Sequence, residues 1–140
     1  MYTGFKHLHS GLAYLLLAGV VFALLYAIIS KNKPFTSGSR KVALIGLVFA
    51  HIQFVAGLVL YFISPLGASN FSGEAMKERT ARLFILEHPV MMLIAVACIT
   101  VGYSRMKRLS SDKKKYNSII IYYGLGLILM LSMIPWKIWP

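Results

Sequence analysis

Polar and apolar positions separate into long blocks along the chain. Four apolar runs are uncharged or nearly so: residues 8–30, 42–64, 83–104 and 118–135. Each is close to the ~20 residues a helix needs to cross a hydrocarbon layer. The segments between them are polar: KNKPFTSGSRK, PLGASNFSGEAMKERTAR and RMKRLSSDKKKYN. No run shows sustained alternation, which argues against strands. Pro65 and Pro135 stand where the second and fourth runs end, as expected where a helix must stop. The pattern predicts one all-α domain over residues 1–140, a polytopic four-transmembrane-helix bundle with the lipid bilayer as its partner. The first run is longer than a signal-peptide core and no A-x-A site follows it, so it reads as a retained helix.

Composition agrees. The 140 residues are 58% hydrophobic and 14% charged, with a mean hydropathy of +0.69. A soluble core of this size cannot bury so much apolar surface. Disorder is excluded, because it needs low hydrophobicity. The single cysteine, Cys98, rules out an intrachain disulfide and any C-x-x-C pair.

The net charge of +11 changes the picture only through its distribution. Ten of the fifteen basic residues flank the first and third loops: Lys31, Lys33, Arg40, Lys41, Arg105, Lys107, Arg108, Lys113, Lys114 and Lys115. Lys6, Lys77, Arg79, Arg82 and Lys137 fall on the other side. The bias predicts cytoplasmic loops one and three, with both termini and the middle loop periplasmic. Tyr2, Phe5, Tyr61, Phe62, Trp136 and Trp139 then suit an aromatic belt at the outer surface. Topology accounts for the basic charge and no recognition motif accompanies it, so no nucleic-acid partner is expected.

Each half of the chain reads helix, basic loop, helix, proline. His9 lies near the start of the first helix and His88 near the start of the third. An axis along the membrane normal would give the two histidines matching places.

Polar side chains at membrane depth are costly and mark function by default. Here they are His7, His9, His51, Gln53, Glu87 and His88. No GxxxxGK, HExxH, GxSxG or paired-carboxylate arrangement equips the chain for hydrolysis or phosphoryl transfer. Four histidines in apolar helices suggest haem, whose iron takes one or two axial imidazoles from facing helices. The two ligands must lie at similar depth. At ~1.5 Å rise per residue, His9 lies ~5 Å and His88 ~9 Å from the outer basic flanks, and His51 ~20 Å deep. His9 and His88 are therefore the matched metal ligands. His7 is ~200° around the helix from His9 and reads as interfacial. His51 reads as a bundle-core histidine bonded to a neighbouring helix.

Glu87 is expected to pair with Arg82 or Arg79, or to orient an imidazole on another helix. Pro89 removes a backbone donor beside His88 and permits a kink. Gln53 suits a hydrogen bond between helices. Met91, Met92, Met130 and Met133 read as packing, with His–Met ligation a minor alternative. Gly11, Gly19, Gly57, Gly102, Gly124 and Gly126 permit close helix approach, and the stretch GLVLYF from Gly57 offers one wall of a porphyrin slot.

Several strings together resemble a known family. KHLHSGLAYL, QFVAGLVLYFISPLG, AMKERTARLFILEHPVMMLIAV and the late IPW are similar, over nearly the whole chain, to small four-helix inner-membrane proteins of Bacteroidota labelled cytochrome-b-like. His9-Ser10 matches that pattern's LHS. Gln53, Gly57 and Tyr61 match its second helix, and Ala75-Met76-Lys77, Arg82 and Glu87-His88 its middle loop and third helix. Pro135-Trp136 matches its end. His7 and His51 have no fixed counterpart. The resemblance implies a b-type cytochrome of the bacterial inner membrane, with His9, His88, Glu87, Gln53, Tyr61 and Arg82 around a haem b. Its task would be electron transfer, with no catalysis of its own, because two axial histidines leave no open iron position. A non-haem accessory or assembly subunit of a larger membrane complex is the alternative. A proton or small-solute pathway through Glu87 and the histidines is a third.

Overall fold

A computed structural model describes all residues from 1 to 140. It contains helices and no strand. Helix α1 spans Tyr2–Ser30 and α2 spans Ser37–Ile63. A single 3-10 turn (Ala68–Asn70) and the five-residue α3 (Gly73–Lys77) fill the middle loop. Helix α4 spans Arg79–Arg108, with a π turn at Leu83–Glu87. Helix α5 spans Asp112–Ser132.

The helices overrun the apolar blocks into their polar flanks, because capping groups and not hydrophobicity set their ends. The Thr36 hydroxyl accepts from the Ser39 amide, and the Ser39 hydroxyl accepts from the Thr36 amide, so α2 begins five residues before its apolar run. The Ser111 hydroxyl caps α5 by accepting from the Lys114 amide, without a reciprocal bond. Residue 135 is not the end of α5. The helix stops at Ser132, with Met133 as its C-cap, since the residue before a proline is pushed out of helical geometry.

Glu78 starts α4 by accepting from the Ala81 amide at 2.6 Å and the Thr80 amide at 3.0 Å. Those donors hold its carboxylate below the usual range. A depressed folded value means that the cap contributes above the ordinary carboxylate range and is lost as pH falls through the folded value. Protection of the Thr80 and Ala81 amides, measured against their intrinsic exchange rates, should therefore fall on acidification, and a Glu78→Gln variant should lose that pH dependence. Equal acid sensitivity in both proteins would contradict the assignment.

Three helices are long and apolar enough to cross a membrane: α1, α2 and α4, with window hydropathies of 2.6, 2.3 and 2.1. Helix α5 is not among them, because its first turns, DKKKYNS, are polar and its apolar stretch is short.

The four long helices form a ring. Helix α1 packs on α2 and α5, and α4 packs on the same two, so α1 and α4 face each other across the diagonal. Small residues let the backbones approach, as expected where lipid removes the hydrophobic drive between helices. Ala23, Ala27, Ala43, Ala50 and Ala95 are buried. Gly19 meets Gly46 across the α1–α2 contact, where a Cβ would stand 3.6 Å from the facing Cα. Large apolar side chains such as Phe22, Ile29 and Ile128 point outward. That inversion of a soluble protein suits a lipid surround.

The core is pinned by buried hydroxyls between helices. Tyr116 donates to the Pro34 carbonyl at 3.0 Å, so the 2.7 Å contact with Ser39 is donated by the serine. Tyr123 donates to the Ala43 carbonyl at 2.6 Å and Ser118 to the Gly102 carbonyl at 3.0 Å. Tyr116→Phe leaves the Ser39 hydroxyl and the Pro34 carbonyl without this partner. It should cost about 1–3 kcal/mol in detergent-solubilised unfolding. A midpoint equal to wild type would show that water or lipid replaces the bond freely.

Candidate functional site

The main packed core runs from the basic end of the bundle to Leu16, Ala50, Ala95 and Met130, with Ala56 and Ile85 buried outside it. Beyond it, toward the N-terminus of α1, inward-facing residues such as Leu12, Ala13, Met91 and Met92 are only half-buried. His9 and His88 lie in this looser end.

His9 is set on α1 by two residues of α2 one turn apart. Gln53 donates its side-chain amide to the His9 carbonyl at 2.9 Å, tying the two helices at that level. Four residues on, Gly57 provides room for the imidazole: a Cβ there would stand 2.9 Å from His9 Cε1 and 3.4 Å from Nδ1. No side chain larger than hydrogen fits beside the ring as it lies. His9 Nδ1 is buried with no hydrogen-bond partner, as is Gln53 Oε1. Buried polar atoms are seldom left so, and each marks a place where a ligand or water belongs.

His88 is positioned by a break in α4. In a regular helix, the Pro89 nitrogen would donate to the Ile85 carbonyl, but proline has no N–H. The helix widens to a π turn here, and the His88 amide bonds to the Leu83 carbonyl. Tyr61 of α2 donates its hydroxyl to the freed Ile85 carbonyl at 2.9 Å. The imidazole Nδ1 lies 2.8 Å from the carbonyl of Met133, where α5 has just ended and its carbonyls lack helical partners. A carbonyl can only accept, so Nδ1 carries the proton and Nε2 keeps its lone pair. A backbone anchor of this kind is what orients metal-ligating histidines.

The two rings lie edge to face, with centres 6.2 Å apart and planes at 88°. A metal-bound imidazole nitrogen lies ~2.0–2.1 Å from its ion, so two rings flanking one ion sit roughly 6 Å apart centre to centre. The spacing fits. No third His, Cys, Asp or Glu joins them in a metal-binding group. A site for a bare zinc ion normally draws three or four ligands from the protein, whereas a porphyrin brings four of its own. The donor set therefore suits haem better than a bare cation.

The other sequence candidates fall around this pair. Arg82 Nε donates to Glu87 at 2.8 Å and its NH1 to the Met76 carbonyl at 3.3 Å. Glu87 thus ties the middle loop to α4 and orients no imidazole; the Met133 carbonyl takes that role. Tyr61 supports the π turn from the side. His51 meets one half of its expectation, a bond to a neighbouring helix at Thr100 of α4, and corrects the other. It is exposed on the outer face of the bundle and not in its core, with Nδ1 2.9 Å from the Leu47 carbonyl of its own helix and Nε2 3.4 Å from Thr100. Two residues from the inward Gln53, it necessarily faces the opposite way. His7 is exposed as well. Trp139 stacks on Tyr14 with ring centres 4.9 Å apart, holding the tail that follows Met133 against α1.

The Met133 carbonyl was not evident from the sequence, whereas Gly57 was expected to leave room and does so beside His9. Pro89 did mark an orphaned carbonyl at Ile85, and a tyrosine on a neighbouring helix is the kind of residue that answers it. Compared with protein-family models, curated proteins and solved structures, the chain gives no match in any of the three.

Proposed function

We propose that the chain is a four-helix integral membrane protein that holds a haem b between His9 and His88 and serves electron transfer. The reading rests on one observation above all: two imidazoles from diagonal helices lie with ring centres 6.2 Å apart, one with its Nδ1 fixed by a backbone carbonyl. When bound, haem would supply a one-electron couple buried in an apolar bundle. His88 presents Nε2 from a ring held by Met133. His9 presents its ring from a backbone held by Gln53. In this reading α5 is the fourth crossing, its short apolar stretch completed by the Ile134–Trp139 tail. The bias of basic residues puts loops one and three in the cytoplasm of a bacterial inner-membrane protein, and the histidine pair near the periplasm.

Protein purified in detergent from haem-sufficient cells should show a reduced b-type α band with a low-spin Soret maximum. A colourless protein would favour the accessory-subunit reading, in which the histidines serve packing alone. Orientation has its own test. In a Cys98→Ala background, a cysteine at residue 72 should react with a membrane-impermeant maleimide in intact spheroplasts, and one at residue 111 only after lysis. The reverse pattern would place the histidine pair at the cytoplasmic face.

A further inference from the structure

The basic end of the bundle carries a second feature, separate from the histidines. Where α2 begins and α4 ends, a cavity of about 330 Å³ opens between helices. Its lining includes Thr36, Ser37, Arg40, Met106, Lys107 and Lys115. Three cations from three helices converge there without a carboxylate. Arg40 and Lys107 are exposed and Lys115 is half-buried, yet each is held by a contact. Arg40 Nε donates to the Tyr103 hydroxyl at 3.2 Å, and Lys107 Nζ lies 5.3 Å from the centre of the same ring. Lys115 Nζ donates to the Met106 carbonyl at 2.9 Å and lies 5.5 Å from the centre of the Phe35 ring. Holding like charges together costs free energy unless an anion shares the site.

We propose that this cavity binds the phosphate headgroup of an anionic phospholipid. The volume is that of a small-molecule site and the ligand chemistry is a phosphate. The source is lipid because the cavity lies where the apolar helices end, at headgroup depth, and basic pockets between crossing helices are where such headgroups dock. Arg40 offers its remaining N–H groups to phosphate oxygens, the lysines act as point charges, and the Ser37 hydroxyl adds a neutral donor. The apolar side of the half-buried Phe35 meets the glycerol backbone. The inference rests on the membrane-spanning reading and is independent of haem.

The test is native mass spectrometry of the full chain released from nanodiscs of phosphatidylglycerol and phosphatidylcholine. Wild type should retain phosphatidylglycerol selectively. Each juxtamembrane cation contributes about a fivefold factor, so Arg40→Gln with Lys115→Gln should weaken retention about 25-fold. Lys107→Gln, which breaks no hydrogen bond, should weaken it about fivefold even if the double variant folds poorly. Lys113→Gln with Lys114→Gln removes equal charge outside this cavity and should leave retention unchanged. Equal loss in both double variants would overturn the proposal in favour of diffuse surface potential. Displacement of the lipid by millimolar orthophosphate would overturn it in favour of a free-anion site. Carbonate extraction of expressing membranes reports separately on whether the chain spans the bilayer.

Discussion

Replacing His88 with alanine should abolish the b-type spectrum entirely, whereas replacing His9 should leave a bound but high-spin haem. The asymmetry follows from how the two rings are held. His88 has its ring fixed at Nδ1 by the Met133 carbonyl, which sets its tautomer and raises the basicity of Nε2. The π turn, Pro89 and Tyr61 fix its backbone. The His9 ring has no hydrogen bond of its own; only its backbone is tied, through Gln53. A single anchored imidazole suffices to hold an iron porphyrin, as in five-coordinate haem proteins. An unanchored one must first lose ring freedom. Removing a ligand's orienting partner typically weakens metal binding about 10–100-fold. His51→Ala and His7→Ala should leave the low-spin spectrum intact, because both side chains are exposed away from the pair. Absorption and electron paramagnetic resonance spectra of the four variants decide the matter. If His51→Ala removed the haem while His9→Ala kept it low-spin, the site would lie nearer the bilayer midplane, between α2 and α4.

The apolar runs made the helices legible because burial in lipid demands long uninterrupted blocks, and nothing else in a sequence looks like them. Their ends were less legible. Thr36, Ser39 and Ser111 move helix starts outward through side-chain caps that hydropathy does not register. The face of a helix was harder still. His51 looked like a core residue by depth, yet lies outward, since every face of a membrane helix is apolar and periodicity carries little signal. Gln53 and His51 differ in facing and not in depth. The pairing of His9 with His88 followed from helix rise alone. What anchors the His88 ring did not, because a backbone carbonyl at residue 133 leaves no mark on composition. Gly57, with its missing side chain, could be read as room for a ring, but not as room for His9 in particular.

Gly57 gives the sharpest test of that missing side chain. Gly57→Ala should destabilise the protein by about 1–3 kcal/mol, as overpacking of a close contact does. The added Cβ would stand 2.9 Å from His9 Cε1, closer than carbon atoms pack. Helix α1 cannot retreat readily, because Gln53 binds the His9 carbonyl one turn away. The ring must therefore swing off the diagonal and away from His88. The control is Gly11→Ala on α1, where a Cβ meets nothing within 4 Å. There the helix propensity of alanine should raise stability by up to ~1 kcal/mol. A double-mutant cycle assigns the cause, since residues in contact couple and distant ones do not. In a His9→Ala background the obstructing ring is gone, so Gly57→Ala should cost nothing, or stabilise by up to ~1 kcal/mol through propensity. Thermal unfolding of the four proteins in detergent, without added haem, measures this independently of any cofactor. An equal cost of Gly57→Ala in both backgrounds would mean that the glycine serves some contact other than His9, and that the imidazole is free to choose its place.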